Sequence, residues 1–181
     1  PQSWIGFNYA KSCKDPANKA VHFFVDDYQF NRLWTNPDAY LDMLRRFKAV
    51  CTPDFSTYTD FPKAVQIWNH YRKHWLGAYW QGNGITVIPT ISWSDESSFE
   101  WCFDGEPVGG AVAVSSVGTQ LNKRAAELFR LGYDKMLRRL NPSTIYFYGL
   151  VPEGISGPIV HVAAFQEQIK ARTTKSKESV V

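Results

Sequence analysis

The chain reads as a single α/β domain over residues 1–181. It has a mainly parallel sheet of five to six strands, open or curved into a partial barrel, with helices packed on it. Three observations predict this class. Short runs rich in Val, Ile and aromatic residues alternate four to five times with helical periodicities along the 181 residues. That alternation gives parallel strands joined by right-handed crossovers. In the first run, Ala20 to Asp27, five of the first six residues are apolar or aromatic before it ends in two carboxylates, which marks a strand buried on both faces. Five or six such runs are too few to close an eight-fold barrel.

Pro1 to Lys19 reads as a polar entry segment pinned to the body by Trp4, Phe7 and Tyr9. Beyond the first strand, Asn36-Pro37-Asp38 carries a helix start: an Asn cap, proline at the first helical position and an acid in the first turn. Ala49 to Ser56 is the second strand, with Pro53 near its end, where a missing N–H matters least. The longest helix begins after Asp60. Phe61, Ala64, Val65, Trp68, Tyr71, Trp75, Leu76 and Tyr79 recur at steps of three and four, which predicts one apolar stripe facing the core. Asn69, His70, Arg72, Lys73 and His74 then read as its solvated face. Gln81-Gly82-Asn83-Gly84 stops it.

Ile85 to Trp93 is the third strand, and Ser94-Asp95-Glu96 caps a short helix reaching Phe103. Ala111 to Val114 is the fourth strand. A helix over Gln120–Leu140 follows, with Leu121, Leu128, Phe129, Gly132 and Met136 inward. Thr144 to Gly149 is the fifth strand. Pro152 to Pro158 is a loop by composition. Ile159 to Ala163 is either a sixth strand or the opening of a last helix through Gln166 to Ile169. From about residue 170 the chain is a polar, charged and disordered tail with Lys170, Arg172, Lys175 and Lys177.

Composition narrows the function classes. With 20 basic and 17 acidic residues, the net charge of +3 gives no support for nucleic acid. No apolar run approaches the roughly 20 residues of a membrane helix. No secretory signal is visible at the start of the chain. Three cysteines at distant positions show no metal-type pairing, which fits a reduced, cytoplasmic setting. Aromatics make up 15% of the chain, with 7 Trp, enough to serve both a core and a binding face.

In a parallel sheet, ligands meet the protein where the strands end. Those ends supply the candidate site. Asp26, Asp27 and Asp54 are candidate acid/base or metal groups, Mg²⁺ being the ion such carboxylates would hold. Only one of Asp26 and Asp27 is expected to face the cleft, since strand side chains alternate. Ser56, Ser92 and Tyr148 add hydrogen-bonding groups. Trp93 can stack on a ring or cover the core. Ser115, Ser116 and Gly118 lie between a strand and a helix start, where backbone N–H groups favour an anion. They lack the lysine and glycine spacing of a P-loop and the three-glycine dinucleotide fingerprint. His22, alone on an apolar run, reads as a core histidine. No nucleophile elbow is present, so Ser/His/Asp chemistry is unsupported.

Several stretches together resemble a family catalogued only as a domain of unknown function. They are Val21 to Tyr28 with Phe30 and Trp34, Pro53-Asp54-Phe55-Ser56, Asn69 to Arg72 leading to Gly77-Ala78-Tyr79-Trp80-Gln81, Val87 to Trp93, and Val112 to Gly118. The family occurs in bacteria, phages and integrated mobile elements, and the resemblance spans roughly Phe7 to Gly149. It implies a mobile-element setting inside a bacterial host cell and no established activity. Two main readings stay open, beside a weaker third, nucleic-acid binding, which would need the basic residues to cluster on one face. One is a ligand-binding or hydrolase-like domain for a small polar, phosphorylated or nucleotide-like ligand at the strand ends. The other is a non-enzymatic protein that binds a host or phage macromolecule through an aromatic surface.

Overall fold

The structure, a computed structural model, describes residues 1–165 and residue 167. In chain order its first elements are β1 (Ser3–Gly6), α1 (Phe7–Ala10), β2 (Lys19–His22), α2 (Arg32–Thr35), α3 (Leu41–Leu44) and β3 (Ala49–Cys51). Then come α4 (Lys63–Gly82), β4 (Val87–Ile88), β5 (Ala111–Ser115), α5 (Lys123–Leu140), β6 (Thr144–Tyr148) and β7 (Ile159–Val162). The fold is α/β and every strand pair is parallel.

The expected single sheet is two sheets, β1-β2-β3-β4 and β5-β6-β7. One parallel bridge, Thr90 to Ala113, ties them: Ile91 N–H donates to the Ala113 carbonyl and Ala113 N–H to the Pro89 carbonyl, both at 2.8 Å. The break arises because β4 has only two ladder residues before Pro89, which has no N–H to give. Strand order follows chain order throughout, and the surface curls. Trp4 of β1 meets Tyr146 of β6 with ring centroids 4.9 Å apart, and His22 of β2 meets Tyr148 at 4.5 Å. Of the two closures expected, the geometry is the curved one.

Besides β3 and β4, which end at Cys51 and Ile88 well short of the expected Ser56 and Trp93, several elements differ from expectation. The entry segment contains a strand, β1, paired in register with β2 from Ser3↔Lys19 to Gly6↔His22. Its Ser-Trp-Ile-Gly run is too short to signal a strand alone. The first expected strand ends at His22, not Asp27. Val25 N–H turns back to the Phe23 carbonyl at 2.8 Å, and Phe24 N–H donates to Nδ1 of His22 at 3.3 Å. Phe24 to Asp27 therefore leave the ladder. The α5 helix starts at Lys123 rather than Gln120, because Oδ1 of Asn122 accepts the Ala125 N–H at 2.9 Å and caps it. Leu121 lies outside that helix, 82% exposed. At its other end Asn141, in the left-handed region at φ 42°, stops the helix.

The largest correction concerns α4. Its buried residues are Gln66, Asn69, Lys73, Leu76, Gly77 and Trp80. Val65, Trp68, Tyr71 and Trp75 point outward. The expected assignment of faces is inverted for most of the helix. Two facts fix it. A Cβ on Gly77 would lie 2.8 Å from Cγ2 of Thr52, so the helix rests tightly on the chain after β3 at that point. The inner polar residues also meet backbone carbonyls that need donors, as described below. On the outer face, Trp34 of α2 packs edge-on against Trp68 and Trp75, with centroids 5.3 and 5.4 Å apart.

Two cores result. Phe23, Phe30, Leu33, Leu44, Leu76 and Trp80 fill the first, under α4. Phe129, Tyr133, Met136, Ile145 and Phe147 fill the second, under α5. Each such side chain contributes about 1.5–3 kcal/mol by leaving water. Gln166 and Ile169 of the expected last helix, and the tail with Lys170, Arg172, Lys175 and Lys177, lie outside the described residues.

Candidate functional site

Beyond the strand ends the chain forms an open cavity of about 440 Å³. Its wall is built from segments that follow β2, β3, β4 and β5, as a curved parallel sheet demands. Asp26, Asp27, Asp54, Ser56, Ser92, Trp93, Ser115 and Gly118 all line it, joined by Thr57, Tyr58 and Thr119. Two of the candidate residues stand elsewhere. Ser116 is buried, and its Oγ donates to the Leu150 carbonyl at 2.6 Å. Tyr148 lines a neighbouring cavity of about 620 Å³ with Trp4, Tyr9, His22 and Phe165. Phe24, Val25, Asp26 and Val117 form the wall common to both cavities. Both Asp26 and Asp27 face the acidic cavity, because they sit in a turn rather than in a strand with alternating side chains.

Asp27 is fixed. Its carboxylate accepts the Ser56 N–H at 3.1 Å and the Ser56 Oγ–H at 2.8 Å. Ser56 is held in turn by α4: Nδ2 of Asn69 donates to its carbonyl at 2.6 Å. Nε of Arg72 donates to Oδ1 of Asn69 at 3.0 Å, and its guanidinium lies 3.6 Å from the centre of the Phe55 ring. Nε2 of Gln66 donates to the carbonyls of Tyr58 and Phe61 at 3.2 and 2.9 Å. The inward polar face of α4 is thus the scaffold of one cavity wall. Sequence reading missed Gln66 and Asn69 as supports and placed Arg72 and Lys73 in solvent. The available signal was the spacing 66, 69, 73, 76, 77, 80, which makes one continuous face opposite the aromatic stripe.

Asp54 differs from Asp27. Burial pushes its carboxyl up to about 7, and the charge of Asp27 adds to that, against the opposing pull of Lys73 and a hydrogen bond from Ser92. The cavity therefore contains one carboxylate locked by hydrogen bonds and one acid poised near neutrality. Trp93 is held rigidly. Its Nε1 donates to the Leu128 carbonyl at 3.2 Å, and the indole lies directly on Gly132. His22 is buried, and burial lowers its pKa to about 4, so the ring is neutral.

Lys73 is almost fully buried between two regions. Its ammonium donates to the Thr90 carbonyl at 2.9 Å and to Oε1 of Glu106 at 2.6 Å. His70, His74 and Glu106 form a group whose potential ligand atoms all lie within 4.8 Å of one another. Cys13, Cys51 and Cys102 are buried free thiols. Burial pushes the Cys102 thiol up to about 12, so it stays protonated. Among the described residues no helix is long and apolar enough to cross a membrane.

The fold and the site together define a curved parallel α/β domain with an acid-lined cavity at its strand ends. The chain belongs to the DUF4417 family, a domain of unknown function, whose model matches residues 1–166. Relatives include the Gene 1 protein of Mycobacterium phage L5, 48% identical over 130 residues, which are 72% of this chain and 57% of that protein. The Gene 1 protein of Mycobacterium phage D29 is 45% identical over 130 residues, 72% of this chain and 48% of that protein. The matched region spans about half the length of these relatives. No solved structure matches.

Proposed function

We propose that this domain, acting inside a phage-infected cell, binds a small polar ligand in the acidic cavity and exchanges a proton with it through Asp54. The observation that carries the reading is the contrast within one cavity. Asp27 is a fixed carboxylate, whereas Asp54 is held to about 7, the value a general acid or base needs at neutral pH. Ser92, Ser115 and Thr119 supply hydrogen-bonding groups beside them. The adjoining aromatic cavity suits a flat ring, so a nucleotide-like ligand spanning the two is the favoured class.

The test is a thermal-shift screen of nucleosides, nucleotides and sugar phosphates, each with and without Mg²⁺, on the intact chain and on Asp54→Asn. The reading expects a ligand that raises Tm in the parent and acts differently on the variant. It also expects the Asp54 carboxyl, followed by carbon-13 NMR, to titrate near 7. A carboxyl titrating near 4, with ligand shifts identical in both proteins, would end it.

A second reading rests on the outer face of α4. Trp68, Tyr71 and Trp75 are 47%, 51% and 38% exposed, with Val65 and Ile67 beside them. A clustered apolar face of this kind suits a protein partner of host or phage origin. A photo-crosslinking amino acid at Tyr71 during infection tests it. A discrete crosslinked partner, lost on Trp68→Ser with Trp75→Ser, supports it; the absence of any crosslink removes it.

A further inference from the structure

We propose that His70, His74 and Glu106 bind one divalent transition-metal ion of the zinc class. The site is separate from the acidic cavity, whose lining includes none of the three. His70 and His74 are four residues apart on α4, so both rings project from one side of the helix, with centroids 4.4 Å apart. Glu106 arrives from the turn before β5.

The ring nitrogens carry the argument. Nε2 of His70 lies 3.2 Å from the Asp104 carbonyl oxygen, which can only accept, so Nε2 bears the proton. Nδ1 is then left with its lone pair. A histidine ligand anchored through its other nitrogen to a backbone carbonyl is the usual outer support of a metal site. Nε2 of His74 is buried with no hydrogen bond, although Oε1 of Glu106 is 3.1 Å away. Two ligands of one tetrahedral ion, each about 2.0–2.1 Å from it, stand about 3.3 Å apart and aim at a common centre rather than at each other.

Gly105 makes this geometry possible. It adopts φ +76°, and a Cβ there would crowd the His74 ring at 3.3 Å. The glycine lets Asp104, which orients His70, and Glu106, which meets His74, come from the two positions that flank it in one turn. The Glu106 side chain is only 2% exposed. Burial pushes its pKa up, but the Lys73 ammonium 2.6 Å away outweighs burial and holds the carboxyl below its usual range.

Lys73 is the competitor for Glu106. A carboxylate has about four lone-pair positions, so one ammonium at Oε1 leaves room for an ion. The added positive charge beside Lys73 disfavours hard ions bound through charge alone, such as Mg²⁺ and Ca²⁺. The two imidazole nitrogens, not the charge, select an ion of the zinc class. The His74 side chain is 28% exposed, which leaves a path for entry and for a water as fourth ligand.

The test uses the untagged chain, titrated with Zn²⁺ in a calorimeter and with Co²⁺ while the visible spectrum is followed. One equivalent should bind, and Co²⁺ should show d–d bands without thiolate charge transfer. His70→Gln and His74→Gln should each weaken binding by at least about 10–100-fold, the cost of merely disturbing a ligand's outer support. Both variants keep the Lys73–Glu106 pair. Should His74→Gln fail to fold by circular dichroism, His70→Gln decides alone. His22→Gln and His161→Gln should bind as the parent does. Failure of either ion to saturate the parent, or binding that survives His70→Gln, overturns the proposal; it would show that the group is a lysine–glutamate pair with two bystander histidines.

Discussion

Asp27 and Ser56, 29 residues apart in the chain, join two edges of the acidic cavity through paired hydrogen bonds, the shorter at 2.8 Å from the serine Oγ. The serine donates twice to one carboxylate, so Asp27 has little rotational freedom and Asp54 faces a charge of fixed position. Ser56→Ala removes the side-chain bond and keeps the backbone one. It is expected to cost about 1.5–3 kcal/mol, the range for hydrogen bonds to charged groups. Urea denaturation measures this as a lower midpoint at an unchanged m-value.

Asp54 makes stability depend on pH in a direction opposite to ordinary carboxylates. Its folded-state pKa of about 7 lies above the unfolded value near 4. Between those values the native state holds a proton that the unfolded chain has lost. Stability from this group is full below about pH 4 and declines as pH rises to about 7. His22 and His70, both lowered to about 4, act in the other direction between about 4 and 6.5: there the unfolded chain binds protons that the native state refuses. Between about 4 and 6.5 the two histidines together outweigh the one aspartate, so the parent profile masks its effect. The difference between Asp54→Asn and the parent isolates the aspartate. It should grow in favour of the variant from pH 4 to 8, by about 1–3 kcal/mol once solvent screening is allowed for.

Breaking the buried Lys73–Glu106 pair from one side leaves the other charge stranded. Lys73→Met is expected to destabilise by about 3–5 kcal/mol, and Glu106→Gln by a similar amount. The double variant should be less unstable than the sum of the two, because it strands no charge. In a chain of this size the single variants should lower Tm by roughly 6–20 °C, at about 2–4 °C per kcal/mol. Additive effects in the double variant would mean that the two groups do not interact.

Gly132→Ala has a sign that the helix alone would get wrong. In the middle of a helix, alanine is preferred over glycine by about 1 kcal/mol. Here a Cβ would lie 2.2 Å from Nε1 of Trp93, whose place is fixed by its bond to Leu128. Overpacking of this kind typically costs about 1–3 kcal/mol. The variant should be less stable, and its tryptophan fluorescence should shift to the red as the indole moves towards solvent.

The sequence alone determined the class of fold and the parallel direction of its strands, and it pointed to the strand ends where the cavity lies. Those features depend on local signals: the apolar runs at Val112–Val114 and Ile145–Phe147, the helical period of α5, and the polar residue that ends each strand. It did not determine which face of α4 points inward. Periodicity groups residues onto one side of a helix but does not say which side meets the protein. The tertiary structure decided that: with the Gln66–Asn69–Lys73 face inward, its side chains donate to the carbonyls of Ser56, Tyr58, Phe61 and Thr90. The same packing brought His70 and His74 to Glu106, more than thirty residues away in the chain. A contact of that separation is set by how the turn before β5 closes over the helix, which no local pattern records.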